Sequence, residues 1–173
     1  MIARSLKLFG VDWSKEIYLH DLRKTFPWQT ATVDAVYTSH TLEHLDKDEG
    51  LRFLKECHRV LTPNGTIRVV VPDLKPIVDR YTNGEMRADE FLESLDCLYR
   101  FKKRFFKNLL IPYLQFPHKC MYDPETLLQI LSEIGFDATK RAGMDSDIEG
   151  IQEIERLDRT VNAVVIEGRK LAD

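Results

Sequence analysis

The chain has 173 residues, of which 43% are hydrophobic and 31% are charged, and its formal net charge at pH 7 is −3. This length and apolar content predict a single domain over residues 1–173, and the slightly acidic balance argues against nucleic acid as a partner, because general nucleic-acid binding needs broad positive surface. No apolar run approaches the roughly 20 residues that cross a bilayer, and the N-terminus lacks the apolar region of a signal peptide. No integral membrane segment is therefore predicted, and the cytoplasm is the expected location.

Short apolar runs alternate with helical periodicity, which predicts an α/β fold with a mostly parallel sheet and helices on both faces. In the first half, Leu6–Asp12, Ile17–His20 and Val33–Ser39 are predicted strands. Asp46 is a predicted N-cap, because Glu49 follows it three residues later, and the helix should run from about residue 47 to 61.

The turn Thr62-Pro63-Asn64-Gly65 should end that helix, and the β-branched run after it should form a buried strand that pairs in parallel with Val33–Ser39. That strand is Thr66–Val71. Residues 74–116 have a less regular helical pattern and are predicted to cover the domain. The remaining predicted elements are a helix over about 124–134 that stops at Gly135, and two closing strands, Phe136–Ala142 and Val161–Glu167, which would make the sheet mixed.

Two features along the chain have a structural interpretation beside a functional one. Basic and aromatic residues interleave from Tyr99 to Asn108, which predicts a solvated helix face over a buried aromatic face, with contact to an anionic substrate or membrane surface as the alternative. The three cysteines Cys57, Cys97 and Cys120 are widely spaced and lack a CxxC pair. They predict buried thiols rather than a disulfide framework or a zinc site.

Ligands of open α/β sheets bind beyond the carboxyl ends of the strands, so the residues that follow each strand are the candidates for a site. These are Asp12, Asp21 with Leu22, the stretch from Ser39 to His44, and Pro72-Asp73.

Three consecutive segments carry a family resemblance: Asp34–Leu45 with its His-x-Leu-Glu-His-Leu pattern, the helix end Arg59-Val60-Leu61, and the Pro-x-Gly turn before the next strand. Together they resemble class I S-adenosylmethionine-dependent methyltransferases of the type 11 kind. His20–Lys24 and His118–Asp123 are similar to a bacterial subgroup of predicted methyltransferases that is often linked with glycan pathways. The resemblance implies a Rossmann-like methyltransferase fold, S-adenosylmethionine as the cofactor, and methyl transfer to a small-molecule or glycan-type substrate.

The resemblance also implies roles for five residues. Asp12 would accept hydrogen bonds from the ribose hydroxyls, Asp21 would accept one from the exocyclic amine of adenine, and the backbone N–H of Leu22 would meet a ring nitrogen. Ser39 and His40 would lie beside the sulfonium and the transferred methyl group, where alignment of the reactants supplies much of the rate.

A general base is needed only when the methyl acceptor is a poorly acidic hydroxyl, and histidine suits that role. His40 and His118 are the candidate catalytic residues, and a structural or capping role is the alternative for each. His44 is predicted to pack at the entrance of the following helix. The string from His40 to His44 also reads as HxxEH, the ligand pattern of inverted zinc peptidases. That pattern needs both histidines on one helical face, whereas a strand should end just before His40, so no metal ligands are predicted.

The cofactor loop of class I enzymes is rich in glycine, because only glycine lets the backbone approach the cofactor so closely. The first 49 residues contain a single glycine, Gly10. The sequence therefore predicts a domain that is incomplete at its N-terminus, or one in which Leu6–Phe9 takes the place of strand one. A third interpretation is a methyltransferase-like interaction protein without chemistry, such as a homodimer that covers an exposed sheet edge. Weak or lost binding of S-adenosylmethionine is the expected consequence of the missing loop.

Overall fold

A computed structural model of the chain describes residues 17–98 and 116–172. Its strands form one sheet in the order β1-β2-β4-β3, with β1 and β2 parallel and the other two pairings antiparallel. The strands are β1 (Val33–Ser39), β2 (Leu61–Pro72), β3 (Phe136–Lys140) and β4 (Ala163–Lys170). The helices are α1 (Lys47–Val60), α2 (Leu74–Thr82), α3 (Ala88–Ser94), α4 (Pro124–Ile134), α5 (Ile151–Ile154) and α6 (Leu157–Thr160).

The β1–α1–β2 unit confirms the predicted parallel pair and its connecting helix. Asp46 caps α1 in a capping box, in which its side chain accepts from the Glu49 N–H and the Glu49 side chain accepts from the Asp46 N–H. The strand β2 begins at Leu61 rather than at Thr66, because the predicted turn is absorbed into the ladder. Val33 pairs with Leu61 and Ala35 with Thr66, so the extra residues of β2 bulge between these two pairs.

The C-terminal elements confirm the predicted mixed sheet, with shifts at their ends. Asp123 caps α4 by accepting from the Thr126 N–H, and the helix stops at Gly135, whose φ of 112° is open to glycine. The strand β3 is shorter than predicted, and β4 begins and ends later than predicted, at Ala163 and Lys170. Among the described strands, the predicted parallel pairing is limited to β1 and β2.

The predicted strand Ile17–His20 is wrong. These residues have no regular secondary structure, and Ile17, Tyr18 and Leu19 are 49%, 64% and 81% exposed. No described strand lies beside them, so their apolar alternation has no sheet to join. Tyr18 instead approaches Trp28, with 6.2 Å between the ring centroids.

The two faces of the sheet are covered differently. Ile67, Val69 and Val71 point into the apolar core that α1 and α4 close, with Leu54, Leu127 and other fully buried residues. Because successive side chains of a strand alternate between faces, Arg68 and Val70 point the other way. The segment 141–160, which includes α5 and α6, covers that second face around Arg68.

Several expectations meet the limits of the described ranges. Three predictions lie outside the described residues: the strand Leu6–Asp12, the role of Asp12 at the ribose and the basic stretch Tyr99–Asn108. Within residues 74–98 the predicted helical cover is present as α2 and α3.

All three cysteines are free thiols, but only Cys57 is fully buried, so the prediction of burial is wrong for the half-buried Cys97 and Cys120. None of the described helices is long and apolar enough to cross a membrane.

Candidate functional site

The loop after β1 lies at the edge of the sheet where ligands of α/β folds bind, because the carboxyl ends of the parallel strands β1 and β2 meet there. The His40 N–H donates to the Val70 carbonyl of β2 at 2.9 Å, and His40 then turns the chain at a φ of 50°. A 3-10 turn follows over Leu42–His44, in which Leu42 is completely buried. The loop is thus held by β2 on one side and by the core beneath it.

The segment before α4 folds against this loop, which confirms the predicted approach of His118–Asp123 to the His40 loop. The Glu43 carbonyl accepts two hydrogen bonds, from the Lys119 N–H at 2.7 Å and from the Cys120 N–H at 3.1 Å. The rings of His44 and His118 lie with their centroids 5.1 Å apart. Two segments that are far apart in sequence therefore form one wall at this edge of the sheet.

The Glu43 side chain enters this wall as a buried carboxylate. It is 1% exposed, and neither of its oxygens has a hydrogen-bond donor among the described residues. The Nδ1 atom of His40 lies 3.3 Å from Glu43 Oε1, outside hydrogen-bonding geometry. The Nδ1 atom of His44 is likewise buried without a partner there. Glu43, His44 and His118 each offer one ligand-type atom, and these three atoms lie within 4.8 Å of one another.

The two candidate bases are each tied to a backbone carbonyl. His40 Nε2 lies 2.9 Å from the Arg159 carbonyl oxygen, and His118 Nδ1 lies 2.9 Å from the Leu95 carbonyl oxygen. A carbonyl only accepts, so each of these nitrogens carries the proton, and the lone pair of a neutral ring is on His40 Nδ1 or His118 Nε2. The HxxEH zinc arrangement is not formed, because His40 precedes the 3-10 turn and does not share a helix with His44.

The turn around Asp21 lies near the same edge. Arg23 donates to both carboxylate oxygens of Asp21, at 2.8 and 2.9 Å, and these hydrogen bonds lower the pKa of Asp21 to about 2. Arg23 also lies 3.8 Å from Glu49, and Lys119 lies 3.3 Å from the other oxygen of Glu49. The first turn of α1 therefore links the Asp21 turn to the wall formed by the loop.

The remaining predicted site residues occupy the same end of the sheet in less specific surroundings. Leu22 is half-buried against the apolar core, and its N–H makes no hydrogen bond within the described part of the chain. Ser39 ends β1, and its carbonyl accepts from the Thr41 hydroxyl at 3.2 Å. Asp73, which follows β2, caps α2 by accepting from the Lys75 N–H at 2.9 Å.

Sequence analysis missed a second buried charged cluster, on the other face of the sheet. Arg68 of β2 donates to both oxygens of Glu155 at 2.8 Å and to Glu167 at 3.2 Å, and all three side chains are at most 3% exposed. A signal for it was present. A lone arginine inside the β-branched run Thr66–Val71, predicted to be buried on both faces, needs acidic partners, and the stretch before β4 is rich in them.

Residues 2–69 match the family described as "Methyltransferase domain". Three solved structures illustrate the similarity of the chain to known folds. A SAM-dependent methyltransferase from Methanosarcina mazei is 15% identical to the chain, with a TM-score of 0.50. A protein from Bordetella parapertussis, described as a possible exported protein, is 13% identical, with a TM-score of 0.50. A SAM-dependent methyltransferase from Archaeoglobus fulgidus is 23% identical, with a TM-score of 0.44. The matches cover 89%, 88% and 83% of this chain.

The chain spans less than two thirds of these proteins, namely 66%, 43% and 62% of their lengths in the same order. None of the curated proteins compared with the chain is significantly similar to it. The chain therefore has the Rossmann-like methyltransferase fold, and the family match covers the part that contains β1, α1 and most of β2.

Proposed function

From the premise that the chain has the class I methyltransferase fold and resembles the type 11 methyltransferases, we propose that it takes part in S-adenosylmethionine-dependent methyl transfer to a small-molecule or glycan-type acceptor. One observation carries the proposal. The loop that follows β1 at His40, the segment His118–Asp123 and the turn at Asp21 are brought to one edge of the sheet, where this fold binds its ligands.

The described residues fit the adenine side of the cofactor. The half-buried Leu22 has an N–H that is not used within the described residues, which suits a contact with a ring nitrogen. Arg23 holds the Asp21 carboxylate through two hydrogen bonds to Oδ1 and one to Oδ2, so Oδ2 keeps a further lone pair for the exocyclic amine. The hydrogen bonds from Arg23 lower the pKa of Asp21 to about 2, so the carboxylate stays ionised well below neutral pH. Asp12 is proposed for the ribose hydroxyls.

S-adenosylmethionine supplies an electrophilic methyl group when it is bound. The chain's own task is to align an acceptor with it and to accept the proton that a hydroxyl acceptor loses. Ser39 and His40, at the carboxyl end of β1, are proposed to align the reactants. His40 Nδ1 and His118 Nε2 are the two ring atoms that can accept a proton, because the other nitrogen of each ring is bound to a carbonyl.

Calorimetric titration with S-adenosylmethionine and S-adenosylhomocysteine tests the proposal. We expect weak binding, above the low micromolar range, because several hydrogen bonds of about 1–3 kcal/mol each are lost with the glycine-rich loop. Asp21→Asn should weaken it further, whereas Asp34→Asn, an exposed change at the start of β1, is the matched control and should leave it unchanged.

A low-micromolar dissociation constant would show that the absent loop is replaced, with Leu6–Gly10 as the first segment to test by substitution. If binding is weak, a family-like strand-one segment grafted upstream should restore it. Failure of the graft, or equal affinities of the Asp21→Asn and wild-type chains, would contradict the proposed site.

A methyltransferase-like protein without chemistry is the second candidate function. The specific observation in its favour is that polar atoms of the proposed site already have partners in the chain, since Arg23 holds Asp21 and the Arg159 carbonyl holds His40. A homodimer formed through an edge strand of the described sheet is the interaction that this alternative predicts. Sedimentation analysis together with the titration above separates the two functions.

A further inference from the structure

We propose that Glu43, His44 and His118 form a binding site for one divalent transition-metal ion, with Zn²⁺ as the reference ion. The sequence led us to expect no metal, and the only pattern that suggested one used His40. In the structure the third ligand is not His40 but His118, from a distant part of the sequence. One ligand-type atom of His118 lies within 4.8 Å of those of Glu43 and His44.

The first argument is the state of the Glu43 carboxylate. A side chain that is 1% exposed keeps both oxygens without a donor in the described part of the chain. Burying a charge without a partner is strongly unfavourable, so such a group normally pairs with a cation, coordinates a metal or gains a proton. The basic atom nearest to the carboxylate, His40 Nδ1, lies 3.3 Å from Oε1 but makes no hydrogen bond to it, and the side chains of Lys119 and Arg23 pair with Glu49 instead.

The second argument is the way the histidines are held. His118 Nδ1 donates to the Leu95 carbonyl, which fixes the tautomer and leaves the Nε2 lone pair available. A hydrogen bond from the far ring nitrogen to a backbone carbonyl is the usual support of a metal-binding histidine. His44 adds a buried Nδ1 atom that has no partner among the described residues.

The backbone holds the two halves of the site together. The Lys119 and Cys120 N–H groups both bind the carbonyl of Glu43 itself, so the segment that carries His118 cannot separate from the segment that carries Glu43 and His44 without breaking two hydrogen bonds. Ligands bound to one tetrahedral zinc lie about 3.4 Å apart, from bond lengths near 2.0–2.1 Å. The cluster is wider than this, at up to 4.8 Å, and the His44 ring, whose Nδ1 has no partner among the described residues, can turn toward the other two ligands without breaking the bond of His118 to Leu95.

Two histidines and one carboxylate form the ligand set of many zinc sites that keep a fourth position open. The ion would lie beside the loop that follows β1, at the ligand-binding edge of the sheet. It would occupy the lone pair that His118 otherwise offers to a proton, so His40 would be the remaining candidate base in the metal-bound protein.

Titration of the metal-free chain with Co²⁺, followed by visible absorption, and with Zn²⁺, followed by calorimetry, tests the site without any cofactor or activity. Glu43→Gln removes the carboxylate charge. His44→Gln removes the Nδ1 atom, and His118→Asn removes Nε2 while its amide can still donate to the Leu95 carbonyl. His20→Gln is the matched control, because His20 lies outside the cluster.

We expect one equivalent of metal to bind the wild-type chain and the His20→Gln variant. Each ligand substitution should weaken binding by about 100-fold or more, since even loss of a group that only hydrogen-bonds to a ligand typically weakens metal binding by about 10- to 100-fold. Circular dichroism of each variant checks its fold, and Glu43→Gln stays interpretable if the histidine variants unfold. Absence of binding at millimolar metal, or binding that Glu43→Gln leaves unchanged, would overturn the proposal. Neither result bears on the binding of S-adenosylmethionine, which is titrated separately.

Discussion

Two buried charged clusters lie on this sheet, and they differ in how well their charges are satisfied. Around Arg68, the guanidinium binds two carboxylates and two backbone carbonyls, and these carboxylates accept further bonds from the Met144 and Asp147 N–H groups. Around Glu43, the carboxylate has no donor in the described part of the chain. In the first cluster, hydrogen bonds within the protein replace those to water. In the second, the buried carboxylate oxygens have no hydrogen-bond partner among the described residues.

This difference indicates that the two clusters have different roles. The Arg68 cluster ties the covering segment 141–160 to the middle of β2, which is a structural role. The Glu43 cluster lies at the ligand-binding edge and contains a buried carboxylate without a donor among the described residues, which is typical of a site whose partner comes from outside. The predictions below test that distinction, beginning with the largest effect.

Arg68→Met should lower the free energy of unfolding by about 3–5 kcal/mol, because it leaves two buried carboxylates without their cation. Urea denaturation monitored by circular dichroism measures the change. The matched control is Arg156→Met, since Arg156 pairs with Asp158 at the surface with both side chains more than 60% exposed. That control should change the stability by less than about 0.5 kcal/mol. Equal decreases in the free energy of unfolding of the two variants would show that the buried Arg68 cluster contributes no more to stability than a surface ion pair.

The same carboxylate-to-amide change should have different effects in the two clusters. Glu155→Gln should cost about 1.5–3 kcal/mol, because the bidentate pair with Arg68 and the bond from the Met144 N–H lose their charge. Glu43→Gln should leave the metal-free chain as stable as wild type or more stable, because an unpaired buried charge is removed. Chemical denaturation in the presence of a chelator compares them. A loss of 2 kcal/mol or so for Glu43→Gln would mean that its carboxylate already has a partner.

Acid should weaken the first cluster. Burial raises the pKa of Glu155, but hydrogen bonds from Arg68 and the Met144 N–H outweigh it and leave the pKa below its usual range. A carboxyl group whose pKa is lower in the folded state contributes stability that is complete above the unfolded-state pKa, about 4.3, and is lost as the pH falls through the folded-state value. Stability measured between pH 7 and pH 3 should therefore fall more steeply for wild type than for Glu155→Gln. Parallel curves would contradict the assignment.

Much of the fold could be predicted from local patterns in the sequence. The ends of β1 and α4 agree with the predicted ones, and α1 ends one residue early, because capping residues, a helix-stopping Gly135 and a β-branched run act within a few residues. The strand at Ile17–His20 failed for the opposite reason. Its apolar alternation was real, but a strand also needs a neighbour, and neighbours are set by the tertiary fold.

The candidate site could be predicted only in part. The rule that ligands bind beyond the carboxyl ends of strands led to the loop at His40, and the prediction that His118–Asp123 folds back toward it is confirmed. The pairing of Glu43 and His44 with His118 could not be predicted, because His118 lies 74 positions after His44 in the sequence and no periodicity relates them. The roles of Asp21, Leu22, Ser39 and His40 toward the cofactor remain predictions, as does that of Asp12.

The smallest effect is expected at His40, where the loop leaves β1. Its φ of 50° lies in the left-handed region, which is strained for residues with a Cβ atom and open to glycine. His40→Ala and His40→Gly both remove the ring and its bond to the Arg159 carbonyl, so the two variants share that loss. They differ in backbone strain alone, apart from the greater flexibility of glycine in the unfolded chain. We therefore expect His40→Gly to be more stable than His40→Ala by about 0.5–1 kcal/mol, against the usual order in which alanine is favoured. Thermal and urea unfolding of the pair measure the difference. If alanine is the more stable replacement, the loop does not hold His40 in the left-handed conformation, and the position of its ring beside Glu43 has to be revised.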